Sequence, residues 1–215
     1  MRFYGRVDEL RLMGDLFKKF PSFLVITGRR RIGKTTLVRE FIKSHPSLYF
    51  FVDNHKKIDQ VIEEYSKILS DQLNLPSYFL LKNPRDLFSF LFQLKDPIVV
   101  VFDEFQRFTQ IYPPLFSELQ QAWDSRPADS GVFLIVTGSS MGMIHQIFLS
   151  GGAPLFKRAD TVITLQPFTV TDIFPILDEI TSLPLEEKLR IYYLFGGIIH
   201  YFYLFDKFHI NISLY

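Results

Sequence analysis

Nine residues, GRRRIGKTT from Gly28 to Thr36, carry two glycines, a lysine and two hydroxyls at the spacing G-x-x-x-x-G-K-(S/T). That spacing suits the wrapping of a polyphosphate. Glycines let backbone N–H groups close around an anion without obstruction by a Cβ, and a helix starting near Lys34 would add the positive end of its dipole. Gly28, Arg29, Arg30, Arg31, Ile32, Gly33, Lys34, Thr35 and Thr36 are therefore the candidate nucleotide contacts. Within them, Lys34 would bridge the β- and γ-phosphates and the Thr35 hydroxyl would hold Mg²⁺.

Mg²⁺ and an attacking water also need carboxylates near the γ-phosphate. The apolar run IVVVF ends in Asp103-Glu104, which delivers two acids at the C-terminal end of a strand, where open α/β sheets bind their ligands. Asp103 would serve the Mg²⁺ shell and Glu104 would polarise the water. The run VFLIVT ends in Gly138-Ser139-Ser140, which would put Ser139 beside the γ-phosphate if its strand lies between the loop strand and the acidic one; an ordinary turn or N-cap reads equally well. Arg158, in PLFKRAD, is a candidate arginine finger for a neighbouring subunit or else a surface cation. No N-K-x-D base-reading motif of a GTPase occurs, and the five histidines form no i, i+4 pair for zinc.

These residues need a scaffold that holds strand ends together. Five short apolar runs read as strands: Ser22 to Thr27, Leu48 to Val52, Ile98 to Phe102, Val132 to Thr137 and Thr161 to Leu165. They do not strictly alternate, as expected of strands buried on both faces. Segments of helical period lie between them, with stripes at Leu37, Val38, Phe41 and Ile42, at Ile58 to Leu73, at Leu87, Phe88 and Leu91, and at Leu115 to Trp123. The alternation predicts an α/β fold, a three-layer sandwich around a parallel sheet. After Gln166-Pro167 the pattern is helical only, so the expected division is a core over 1–167 and a small helical lid over 168–215.

At 215 residues the chain can bury a substantial core. Its 24 Lys and Arg against 23 Asp and Glu provide no overall field toward nucleic acid or an anionic membrane. There is no cysteine for a disulfide, a thiolate metal site or a nucleophile. The opening MRFYGRVDEL lacks the apolar stretch of a signal peptide, and the tract Ile191 to Phe205 is too short and interrupted to span a bilayer. The expected setting is cytoplasmic, without membrane contact.

The pieces Phe3-Tyr4-Gly5-Arg6, GRRRIGKTTLVREF, VVVFDEFQRF, VTGSS, PLFKRAD and Phe195-Gly196-Gly197 occur in the order seen in the archaeal ATPases, an AAA+-related and STAND-like group of P-loop proteins, which the chain resembles over nearly its whole length. The resemblance implies a sheet in the order 5-1-4-3-2 followed by a helical lid. It implies that Tyr4, Gly5 and Arg6 lie on the adenine side of a bound ATP or ADP, with Mg²⁺ as cofactor. The activity it implies is that of an ATP-hydrolysing switch or motor. Two other readings stand beside it: a nucleotide-dependent clamp that recruits DNA or protein with negligible turnover, and a phosphotransferase for a small acceptor.

In two places the chain departs from these relatives. Gly196-Gly197-Ile198-Ile199 has no proline where the relatives have GG-x-P, and the chain stops at Tyr215, where the relatives continue into a fuller lid and a winged-helix-like module. On that comparison a DNA contact would belong to the missing region. The aromatic tract 191–205 would be poorly covered, which predicts self-association or a protein partner there.

Overall fold

A computed structural model of the chain describes residues 3–76 and 78–208. Its five strands are β1 (Ser22–Thr27), β2 (Ser47–Phe51), β3 (Ile98–Asp103), β4 (Val132–Gly138) and β5 (Thr161–Thr164). The helices are α1 (Val7–Phe17), α2 (Lys34–Ile42), α3 (Ile58–Leu73), α4 (Pro84–Phe92), α5 (Phe108–Ile111), α6 (Leu115–Asp124), α7 (Met141–Phe148), α8 (Val170–Ile180), α9 (Leu185–Phe195) and α10 (Ile199–Phe208). The five strands expected from the sequence are present, each within a residue at either end. Helices α1, α5 and α7 lie where no helical stripe was read.

All strand pairs are parallel and the sheet order is β2-β3-β4-β1-β5, the order the family resemblance implied. The absence of strict polar alternation has a simple cause. Along β1, Phe23 and Val25 enter one core while Leu24 and Ile26 enter the other, and β3 divides the same way into Val100 and Phe102 against Val99 and Val101. Helices α3, α4, α6 and α7 cover the first face, and α1 with α2 the second. Each large side chain buried in this way contributes about 1.5–3 kcal/mol.

Local chemistry sets several helix ends. Asn83 Oδ1 accepts from the Asp86 amide at 2.9 Å to start α4, with Pro84 as its first residue. Thr169 and Asp172 form a reciprocal capping box at the start of α8.

Helices α8, α9 and α10 close on their own apolar cluster, built from Phe168, Ile173, Ile176, Leu177, Ile191, Ile199, Phe202 and Phe205. Most of the large apolar side chains of the tract 191–205 are thus committed inward. Tyr193 and Leu194 are the exceptions, 81% and 66% exposed, so the surface left for the expected partner is narrower than the sequence implied. Residues 209–215, and with them the expected end of the lid at Tyr215, lie outside the described residues. Among the described residues no helix is long and apolar enough to cross a membrane.

Candidate functional site

Strand β1 ends at Thr27 and α2 begins at Lys34, so Gly28 to Gly33 form the turn between a buried strand and a helix. The chain can make that turn because Gly33, just before the helix, takes φ 101°, a conformation a Cβ would strain. Ile32 is fully buried and pins the loop to the α2 side of the core, while Arg29, Arg30 and Arg31 stay exposed around it.

Lys34 is buried, and its Nζ donates to the carbonyls of Gly28 at 2.9 Å and Arg29 at 3.0 Å. Burial holds its pKa below the ordinary lysine value, against the opposing pull of the Glu104 and Asp103 carboxylates. The ammonium is therefore centred in the loop, faced by two acids.

Strand β3 brings those acids in. Asp103 is 2% exposed, and its carboxylate accepts from three hydroxyls. Oδ2 takes Thr35 Oγ1 at 2.8 Å and the Tyr49 hydroxyl at 2.5 Å, while Oδ1 takes Thr137 Oγ1. Tyr49 and Thr137 escaped the sequence reading, since each looks like an ordinary strand residue. The parallel register reveals them by pairing Tyr49 with Val101 and Val136 with Phe102, which sets both hydroxyls on the Asp103 face of neighbouring strands. Burial, and then the bond to Asp103, pushes the Tyr49 phenol far above its usual pKa, so it remains a donor.

Glu104 follows in a left-handed conformation, φ 60°. Its Oε2 accepts from Ser139 Oγ at 2.6 Å and from Gln106 Nε2 at 2.5 Å. The contact with Ser139 exists because β4 lies between β1 and β3, the condition set from the sequence. Ser140, not Ser139, occupies the N-cap of α7. Gln106 is a second residue that sequence reasoning missed.

The donor set of Thr35 and Asp103 is oxygen only, which suits a hard divalent cation such as Mg²⁺. Among the described residues no three His, Cys, Asp or Glu side chains gather to hold an ion by themselves. Phosphate oxygens and water would have to complete the shell, the usual arrangement for Mg²⁺.

The loop is roofed by α10. Ile199 packs over Gly33, and a cavity of about 220 Å³ is bounded by Arg30, Arg31, Lys34, Thr35 and Glu104 below and by His200 and Tyr203 above. It adjoins a second cavity of about 670 Å³, which shares Thr35, Thr36 and Tyr203 and adds Phe3 and Arg39. A still larger groove of about 800 Å³ runs between α3 and residues 78–80, but none of the loop or acid residues line it.

Tyr4, Gly5 and Arg6 join α8 and the residues just before it to the turn after β1. The Tyr4 hydroxyl donates to Glu179 Oε2 at 2.5 Å on α8, and Gly5 lies against the Phe168 ring. The Arg6 guanidinium sits 4.2 Å from the centre of that ring and donates to the carbonyls of Gln166 at 2.7 Å and Ile32 at 3.4 Å. It is Phe3, part of the same family piece but not among the expected nucleotide contacts, that lines a cavity beside the loop.

Arg158 stands elsewhere. It precedes β5, whose first residue pairs with Leu24, so it lies at the end of the sheet opposite the loop. There its Nη2 is 3.0 Å from Asp124 Oδ2.

Residues 3–205 match a family described as an ATPase domain predominantly from Archaea. An uncharacterised protein of Methanocaldococcus jannaschii is 28% identical over 204 residues, covering 93% of this chain and 43% of the relative. A Walker-type ATPase of Pyrococcus abyssi superposes with a TM-score of 0.74 at 23% identity, over 95% of this chain and 67% of that one. The ORC2 protein of Aeropyrum pernix, solved in ADPNP and ADP complexes, superposes with a TM-score of 0.59 at 15% identity, over 82% of this chain and 52% of that one. At these identities the two structures show the fold. The chain spans less than half the length of the Methanocaldococcus relative.

Proposed function

Since the chain belongs to the family of ATPase domains found predominantly in Archaea, we propose that it binds ATP with Mg²⁺ and hydrolyses it as an AAA+-related, STAND-like switch. The observation that carries this reading is the convergence of Lys34, Thr35 and Glu104 around one small cavity at the strand ends, with Asp103 bonded to Thr35 at 2.8 Å. Backbone N–H groups of residues 28–36 cradle the phosphates, and Lys34 exchanges its two carbonyl partners for β- and γ-phosphate oxygens. Thr35 and Asp103 would hold Mg²⁺, which would supply neutralising charge at the phosphates. Glu104 accepts a hydrogen bond from the attacking water and orients it in line with the γ-phosphate. Ser139, tied to the same carboxylate, senses whether that phosphate is present.

On this reading the nucleoside extends past Thr36 into the adjoining cavity. There Phe3 and Tyr203 supply apolar surface, and Tyr4 to Arg6 follow Phe3 directly in the chain. Ile199, His200 and Tyr203 make α10 the element that responds to what the loop holds. As an arginine finger Arg158 would serve a neighbouring copy, because it lies at the far end of its own sheet. A DNA or protein partner would be engaged through regions that the longer relatives carry beyond the matched part.

Single-turnover ATP hydrolysis and nucleotide affinity of the wild type, Lys34→Ala and Glu104→Gln test the proposal. Lys34→Ala is expected to lose binding, and Glu104→Gln to keep binding while losing turnover. Equal and negligible turnover in wild type and Glu104→Gln would replace the hydrolase by a nucleotide-dependent clamp.

A further inference from the structure

Gln106 occupies the short 3₁₀ turn Phe105–Arg107 that follows the left-handed Glu104. Its neighbours Phe105 and Phe108 are fully buried in the apolar core, whereas Gln106 carries an amide into the same wall at 5% exposure. One end of that amide is well used, since Nε2 donates to Glu104 Oε2 at 2.5 Å. The other end is not: Oε1 is buried and has no hydrogen-bond partner. A buried acceptor left unpaired is destabilising, and an isosteric apolar side chain would remove that cost. The surroundings are also shaped around the amide, because a Cβ on Gly138 would stand 2.7 Å from Oε1 and 2.4 Å from Ile144 Cδ1. The wall fits the glutamine yet leaves its Oε1 unpaired, so stability alone does not account for it.

The geometry points to Gln106 as a positioning residue for Glu104. Two donors, Gln106 Nε2 and Ser139 Oγ, converge on Oε2 and so fix the rotation of the carboxylate of a residue that lines the cavity over the loop. Ser139 lies just after β4 and Gln106 in the turn after β3, so the carboxylate is held from two places in the fold and not by its own backbone alone. This inference rests on the hydrolytic reading of Glu104. Its consequence is particular: the contact should matter for turnover, which requires an oriented carboxylate, and not for nucleotide binding, in which Gln106 takes no part.

The test compares the wild type, Gln106→Met and Glu104→Gln as full chains. Methionine keeps the unbranched length and removes both amide ends. Expected for Gln106→Met is a single-turnover rate lowered about 10- to 100-fold, the cost of a carboxylate released by roughly an ångström. Affinities for ATP and ADP should stay at wild-type values, and the thermal midpoint should be equal or higher. A wild-type rate in Gln106→Met alongside a dead Glu104→Gln overturns the positioning role and leaves the hydrolytic reading standing. A slowed Gln106→Met with a lowered thermal midpoint and weakened nucleotide binding also overturns it, in favour of a structural role. Negligible turnover in wild type and Glu104→Gln alike removes the hydrolytic reading and the positioning role with it.

Discussion

Gly197→Ala tests whether α10 is held over the phosphate loop by one backbone contact between Gly197 and Phe168. At Gly197 an added Cβ would stand 1.8 Å from the Phe168 carbonyl oxygen and 2.6 Å from the Phe168 nitrogen. Both are backbone atoms, so no side-chain rotation relieves the clash. The same approach carries the Phe168 N–H to Gly197 carbonyl hydrogen bond at 2.9 Å. Overpacking of this kind costs about 1–3 kcal/mol, and the lost hydrogen bond about 1 kcal/mol. The sum, about 2–4 kcal/mol, is roughly a 30- to 1,000-fold shift toward an unseated α10.

The shift should be local, because α8 to α10 pack around their own cluster while the sheet is buried in two others. Hydrogen exchange monitored by mass spectrometry is the assay: α10 amides should lose protection by that factor and β3 amides should keep theirs. Nucleotide affinity should fall in parallel if His200 and Tyr203 contribute to the grip. Gly14→Ala is the control, since nothing lies within 4 Å of its added Cβ in α1, and it should stabilise by about 0.5–1 kcal/mol. Wild-type protection of α10 in Gly197→Ala would refute the seating argument.

Tyr49→Phe removes one of the three hydroxyls on Asp103, a bond to a charged group of about 1.5–3 kcal/mol; titration with a fluorescent ADP should show weaker dependence of affinity on Mg²⁺ and unchanged affinity in chelator. Nucleotide affinity in chelator should decline as pH rises, beginning below the range of an ordinary lysine. The sign follows from Lys34: only its protonated form attracts phosphate, burial lowers its pKa, and the charge is lost as pH climbs through that lowered value. A dissociation constant that stays flat across alkaline pH would contradict this. Arg158→Ala should change the thermal midpoint little, since its pair with Asp124 is at the surface and worth about 0–1 kcal/mol. If Arg158 serves a neighbouring copy, mixing Arg158→Ala with Lys34→Ala should restore hydrolysis that neither shows alone.

Local signals in the sequence carried the parallel sheet and much of the candidate site. Uninterrupted apolar strands, helical stripes between them, the spacing of GRRRIGKTT and the acids closing IVVVF each depend on residues within a few positions of one another. Helix α7 was hidden because MGMIHQIF is apolar nearly throughout and shows little of the polar face that marks a helical stripe. Tyr49 and Thr137 were hidden for a different reason. Nothing local separates a strand tyrosine that orders a carboxylate from one that fills a core, because the distinction is made by the register of a neighbouring strand.

The lid shows the same divide. The family resemblance singled out Gly196-Gly197, but only the fold shows that Gly197 must lack a side chain because Phe168 passes against it, and that Ile199 rests over Gly33. Residues 28–36 could be read as a phosphate loop because one turn of chain contains all the parts. Which hydroxyls steady the acids opposite, and which helix roofs them, depends on contacts between residues more than thirty positions apart, and those are settled only when the strands are laid side by side.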